Sequence, residues 1–218
     1  MPLKTSPQAN QRPVFKTVLV WGIPALTACA ILALVFNPSF NPEYGEKPAT
    51  TYYFLGVEDG LYENPANWQP GYPGTFISPK EKVIIQESVS FTGYDLEVAG
   101  KLKIGPGAEL FSSRNTLRIA STGYVVNDGE LKVHQIENEG KLDNSLAAEI
   151  DLYEFRAGPK AITRNAQSAR FVTLGNIYNE GVFQNYSYCS IGGELDNRAT
   201  FSQLSNGQLI VQGKPVQP

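Results

Sequence analysis

The sequence predicts an all-β protein: a short β-solenoid of stacked coils preceded by one transmembrane α-helix. Three observations carry this reading. An aliphatic residue, Asn, an acidic residue and Gly recur as Val126-Asn127-Asp128-Gly129, Asn138-Glu139-Gly140 and Asn179-Glu180-Gly181, with a weaker echo from Ile191 to Asn197. Around these phrases run triplets of alternating polarity, and short period-two runs punctuated alike point to coils laid one on another. Before them, residues 17–36 (TVLVWGIPALTACAILALVF) carry no charge, and roughly 20 apolar residues at ~1.5 Å each cross the hydrocarbon of a bilayer.

Residues 1–16 form a cytoplasmic tail and residues 17–36 the transmembrane helix. Lys4, Arg12 and Lys16 precede the span, whereas Glu43, Glu46 and Lys47 follow it. Positive residues stay on the cytoplasmic side, so the body is expected outside the cytoplasmic membrane, in the periplasm or on the cell surface. Gly22 and Pro24 are tolerated because lipid leaves the backbone few alternatives to helical bonding. A cleaved secretory signal fits less well, because the apolar run is long and ends in Leu34-Val35-Phe36-Asn37-Pro38. Leu26-Thr27-Ala28-Cys29 resembles a bacterial lipoprotein box and makes Cys29 a candidate lipidation site, although residues 30–36 stay apolar beyond it.

Residues 37–51 (NPSFNPEYGEKPATT) hold three prolines and read as a semi-extended spacer. Residues 52–82 are rich in aromatic side chains, among them Tyr62, Trp68 and Tyr72. Two roles suit them. Flat rings with polar edges can stack on sugars, which makes these three candidate carbohydrate-binding residues. Alternatively the segment caps the stack, whose end would otherwise expose core and open backbone groups; its place at one end of the body favours the cap. The run Asn67-Trp68-Gln69-Pro70-Gly71-Tyr72-Pro73 resembles the Asn-Trp-x-x-Gly-x-Pro opening of β-solenoid modules in bacterial surface proteins, which then enter a strand like Lys82-Val83-Ile84-Ile85. An Asp common before that strand is replaced here by Ser78-Pro79-Lys80-Glu81.

Residues 83–218 are the β-solenoid body. In Leu96-Glu97-Val98, Leu102-Lys103-Ile104, Leu117-Arg118-Ile119 and Leu131-Lys132-Val133 the outer residues point inward and the central charged one to solvent. Coils of roughly 20 residues give about six turns between Val83 and Val211. Residues 146–155 (LAAEIDLYEF) are the one stretch after the membrane segment with helical character, and residues 157–169 read as irregular, so together they predict a loop or bulge. The turn glycines and asparagines are expected to supply positive φ. The rhythm of residues 83–110 is similar to the eight-glycine family of extracellular β-helical domains.

Asn127, Asn138, Asn144, Asn179, Asn185 and Asn197 recur at similar places beside turns. In stacked coils such side chains can pass amide hydrogen bonds from coil to coil, so a structural Asn ladder is expected ahead of a surface amide array. Asn185-Tyr186-Ser187 also matches a glycosylation acceptor.

Catalytic signals are sparse. His134 is the only histidine, no Gly-x-Ser-x-Gly motif is present, and Cys29 and Cys189 lack metal-ligand spacing. Polysaccharide lyases on β-helical folds pair clustered acids with a basic residue, which would cast Asp128, Asp143 and Asp196 with Arg118 or Arg198. Those acids stand in turns where Asp is favoured for backbone reasons. A non-enzymatic protein without cofactor or metal is expected. The formal net charge of −3 and the pI near 5.3 argue against a nucleic-acid partner. The expected function is a membrane-anchored structural, adhesive or self-associating element, whose partners are the membrane, further copies of itself, and a polysaccharide or another surface protein. The alternative is a carbohydrate-binding or polysaccharide-processing module. A resemblance to bactofilins, polymers with β-solenoid cores, ranks lower because their body lies in the cytoplasm.

Overall fold

The computed structural model describes residues 50–216, apart from 146 and 205. The predicted span, Cys29 and the spacer up to residue 49 lie outside the described residues.

The described residues form an all-β solenoid of about seven coils. Strands Thr50–Phe54, Glu81–Ile85, Lys101–Ile104, Tyr124–Asn127, Lys141–Asn144, Ile162–Asn165, Val182–Asn185 and Thr200–Gln203 lie side by side in parallel as the first face. Glu109–Ile119, Glu130–Asn138 and Glu149–Ala157 are long enough to run along a second face and turn onto a third. The second face continues through Arg170–Thr173, Tyr188–Ile191 and Gln208–Val211, the third through Ile177–Asn179 and Leu195–Asn197. Each coil therefore visits the three faces in the same order.

Equivalent positions stack into columns, which is why the short strands need no length of their own. On the second face Leu110, Leu131, Ile150, Phe171, Cys189 and Leu209 follow one another and all are buried. Burying a side chain of this size contributes about 1.5–3 kcal/mol, repeated at every coil. Toward the C-terminal coils the core turns aromatic. Phe171 and Phe183 meet edge to face at 5.1 Å, and Phe183 stacks on Phe201 at 4.6 Å. Cys189 is a free, fully buried thiol, and burial pushes its pKa well up, so it serves as a small core residue.

The coil begins earlier than the triplet pattern suggests. Thr50–Phe54 already pairs in register with Glu81–Ile85, so the first coil is built largely from the aromatic segment. Trp68–Gln69 then crosses that strand in antiparallel sense and closes the first face at its N-terminal edge. At the other end Lys214–Pro215 folds back antiparallel on Gln208–Val211.

Three expectations are corrected. Among the described residues of 146–155 no helix forms: Ile150, Leu152 and Phe155 join core columns as part of the strand Glu149–Ala157. Helical propensity there yields to two neighbouring strands already in register. Residues 157–169 are not a bulge, because Ile162–Asn165 occupies the first face between Lys141–Asn144 and Val182–Asn185. The glycines of the Asn-acid-Gly phrases do not supply positive φ. A Cβ on Gly140 would stand 2.3 Å from the carbonyl oxygen of Ala120 in the coil below, and one on Gly181 would stand 2.5 Å from that of Ala161. Glycine is required there because one turn lies directly on the backbone of the last.

Candidate functional site

The aromatic cluster of the first coil is interior. Tyr62 and Trp68 are buried, with ring centroids 4.8 Å apart, and Trp68 also meets Phe54 at 5.1 Å. The Trp68 indole N–H donates to the Tyr62 carbonyl at 2.7 Å. Asn67, also buried, accepts from the Glu58 amide at 3.0 Å and donates to Asp59 Oδ1 at 2.9 Å, tying the loop down over the rings. Neither Tyr62 nor Trp68 has a ring face free for a sugar. Tyr72 is half-buried against Tyr62, and its hydroxyl meets that of Tyr94 at 3.2 Å. The arrangement closes the stack.

The asparagines fall into two columns. At the corner between the first and second faces, Asn127, Asn144, Asn165 and Asn185 stack in register. Each of the first three donates its amide N–H to the Oδ1 of the next, at 2.9, 2.9 and 2.8 Å. The second N–H of each reaches a backbone carbonyl in the coil above: Glu149 for Asn127, Arg170 for Asn144 and Tyr188 for Asn165. Asn165 escapes the sequence pattern because Ala161 stands where Gly140 and Gly181 precede Asn144 and Asn185. At the corner between the third and first faces, Asn179 donates to Asn197 at 2.7 Å. Asn138 shares that column, but Ala157 interrupts it, and Asn138 turns to Thr163 Oγ1 at 3.0 Å. Asn185 is fully buried, so the acceptor motif at 185–187 offers no accessible amide.

The acids and bases considered for lyase chemistry are not brought together. Asp128 pairs with Lys103 at 3.0 Å, Asp143 accepts from Tyr124 at 2.5 Å on the first face, and Asp196 pairs with Arg198 at 2.9 Å. Arg118 stands on the third face between Asp95 and Glu137, at 2.6 and 2.8 Å. A cleft of about 450 Å³ runs along that face. Its two arginines are engaged at home, Arg156 with Glu154 at 2.6 Å and over the Tyr178 ring at 4.4 Å. Among the described residues no group of three or more His, Cys, Asp or Glu is placed to hold a metal ion.

The second face carries a different surface. His134, Tyr153 and Leu174 occupy the corner where it turns onto the third face, and Phe111, Lys132, Asp151 and Val172 form the adjacent outward column. Together they line a groove of about 330 Å³. The rings of His134 and Tyr153 stack at 5.3 Å, only 3° from parallel. Tyr153 is 53% exposed and Leu174 73%, well beyond what core packing requires. Lys132 is neutralised by Glu130 and by Glu109 at 2.9 Å, which hold its pKa high. Asp151 is not so engaged: no described group hydrogen-bonds to its carboxylate. Burial first, then the charge of Glu149, raises its pKa. The groove thus combines an exposed flat ring pair, flanking apolar side chains and one unpartnered acceptor. The signal in the sequence was Phe111, an aromatic residue at the outward position that Lys132 and Asp151 take in the next two coils. Comparison with protein-family models, curated proteins and solved structures finds no match.

Proposed function

We propose that this chain is a membrane-anchored, non-enzymatic adhesive solenoid that binds glycan on its second face outside the cytoplasmic membrane. The observation that carries the reading is the groove of Phe111, His134, Tyr153 and Leu174 around the free carboxylate of Asp151. Sugar rings present apolar faces to aromatic planes and hydroxyls to acceptors, and this groove offers both. Arg118 and Arg156 are held by Asp95, Glu137 and Glu154, so the third-face cleft offers no free arginine beside its acids, which supports binding without cleavage. The long apolar segment at 17–36 and its flanking charges support the anchor and its orientation.

The test is a glycan array probed with the full-length chain in detergent, with Tyr153→Ala and Asp151→Asn alongside. Binding of a defined class of glycan, lost in both variants, is expected, with the bound oligosaccharides recovered intact. Binding no stronger than background across the array removes the glycan reading. Cleaved oligosaccharides remove the non-enzymatic one.

A further inference from the structure

We infer that the outer surface of the first face, over the first three coils, docks onto a bilayer by binding anionic phospholipid headgroups. Lys82 and Lys101 are direct neighbours in register on adjacent strands, about 4.8 Å apart. Like charges so placed repel, and among the described residues neither has a carboxylate within ion-pair distance. Lys103, one outward position along, is already held by Asp128 at 3.0 Å. The Lys101 ammonium lies 4.8 Å from the centre of the Tyr124 ring, whose hydroxyl occupies Asp143. Lys80 projects from the turn just before this strand. A chain of net charge −3 has here gathered uncompensated lysines in one place.

The same coils expose apolar side chains. Tyr53 is exposed and sits beside Ile84 in the next outward column, while Leu55 and Val57 follow in the loop, Val57 at 64% exposure. Glu87, next to Gly56, and the exposed Glu58 and Asp59, which follow Val57, form the acidic margin of this surface. Lysines beside exposed aromatic and aliphatic residues match the headgroup boundary, where ammonium groups meet phosphate and apolar groups dip toward the acyl chains. Chain connectivity selects a membrane as the occupant, since the first strand begins at Thr50, directly after the spacer that follows the predicted span. This argument rests on the anchored reading. A tether of that length keeps the bilayer at high effective concentration, so weak contacts suffice.

The test uses the full chain mixed with vesicles of phosphatidylcholine, and of phosphatidylcholine with phosphatidylglycerol. Acylation of each lysine by an amine reagent is followed by mass spectrometry. Lys82 and Lys101 should react about fivefold more slowly on the anionic vesicles, matching ~1 kcal/mol per lysine at such a surface. About 1 M salt should abolish that protection, with Lys160 and Lys214 unaffected throughout. Equal rates on the two vesicles overturn the proposal. So does protection by soluble polygalacturonate without protection by phosphatidylglycerol, which would assign the lysines to an acidic glycan. Flotation separates the anchor from the docking surface. A chain that floats with both vesicles and resists salt is anchored. One that floats only with anionic vesicles, and is released by salt, lacks the anchor but keeps the headgroup site.

Discussion

Asn144 donates to Asn165 across 2.9 Å, and both side chains are fully buried. The two belong to an amide column running through four coils, in which acceptors and donors all point the same way along the stack. Asn144 is engaged on both sides, since it also accepts from Asn127 at 2.9 Å and donates to the Arg170 carbonyl at 2.8 Å. Replacing it by Ala strands two buried amide partners, Asn127 and Asn165, each costing about 1–3 kcal/mol, and also frees the part-buried Arg170 carbonyl. Asn144→Ala should therefore lower unfolding stability by several kcal/mol in urea titration. Asn197→Ala, at the exposed end of the other column, should cost under about 1 kcal/mol. Equal losses would show that the column contributes nothing beyond its single bonds.

Close stacking of turns makes a second expectation. Gly140→Ala forces a methyl group against two carbonyl oxygens, of Ala120 and Gly123, that would lie 2.3 and 2.4 Å away. Neither can yield, because both belong to the backbone of the coil below. The variant should lose about 3 kcal/mol or fail to fold. Gly71→Ala meets nothing within 4 Å and should be silent by thermal melt.

The repeated triplets made the solenoid legible, because period-two alternation in coils needs little tertiary context. Glu97, Lys103, Arg118 and Lys132 take the outward positions their pattern predicts. Residues 146–169 were misread for a definite reason. Their Ala and Glu content favours helix locally, whereas the strands Glu130–Asn138 and Lys141–Asn144 leave open edges that this segment fills. The Asn ladder was visible where a Gly-containing phrase precedes the strand, and Asn165 escaped because Ala161 takes the position of Gly140 and Gly181. The groove was hidden because its residues come from four successive coils. Sequence alone could not say that His134 and Tyr153 share a corner, and it pointed instead to Tyr62 and Trp68, whose rings the first coil buries.

The cap itself is testable. Removing the buried Trp68 ring should cost about 3–5 kcal/mol, measured as a shift of the urea midpoint for Trp68→Ala. Its loss also uncovers the edge of Thr50–Phe54, so the variant should aggregate on size exclusion. Tyr62 behaves oppositely. Its hydroxyl is buried without a hydrogen-bond partner, and removing such a group relieves a desolvation cost. Tyr62→Phe should be neutral or stabilising by up to about 1 kcal/mol. A loss comparable with that of Trp68→Ala would mean the hydroxyl has a partner after all.

Asp151 couples the groove to stability and to pH. Burial and the charge of Glu149 raise its pKa in the folded chain above the unfolded value. As pH rises, the unfolded chain loses this proton first, so the native state binds more protons and stability falls. The favourable contribution is complete below the unfolded carboxylate range, near pH 4, and is lost as pH rises through the folded pKa. Asp151→Asn removes the charge and its partial desolvation. The variant should therefore melt at a higher temperature than the parent at pH 7, and the difference should vanish near pH 3.5. Glycan binding should change in the opposite sense, since the ionised carboxylate is the groove's free acceptor. Affinity should weaken on acidification in the parent and be low and pH-independent in Asp151→Asn. A variant that melts earlier at pH 7 would show that Asp151 is a structural partner and not a strained binding group.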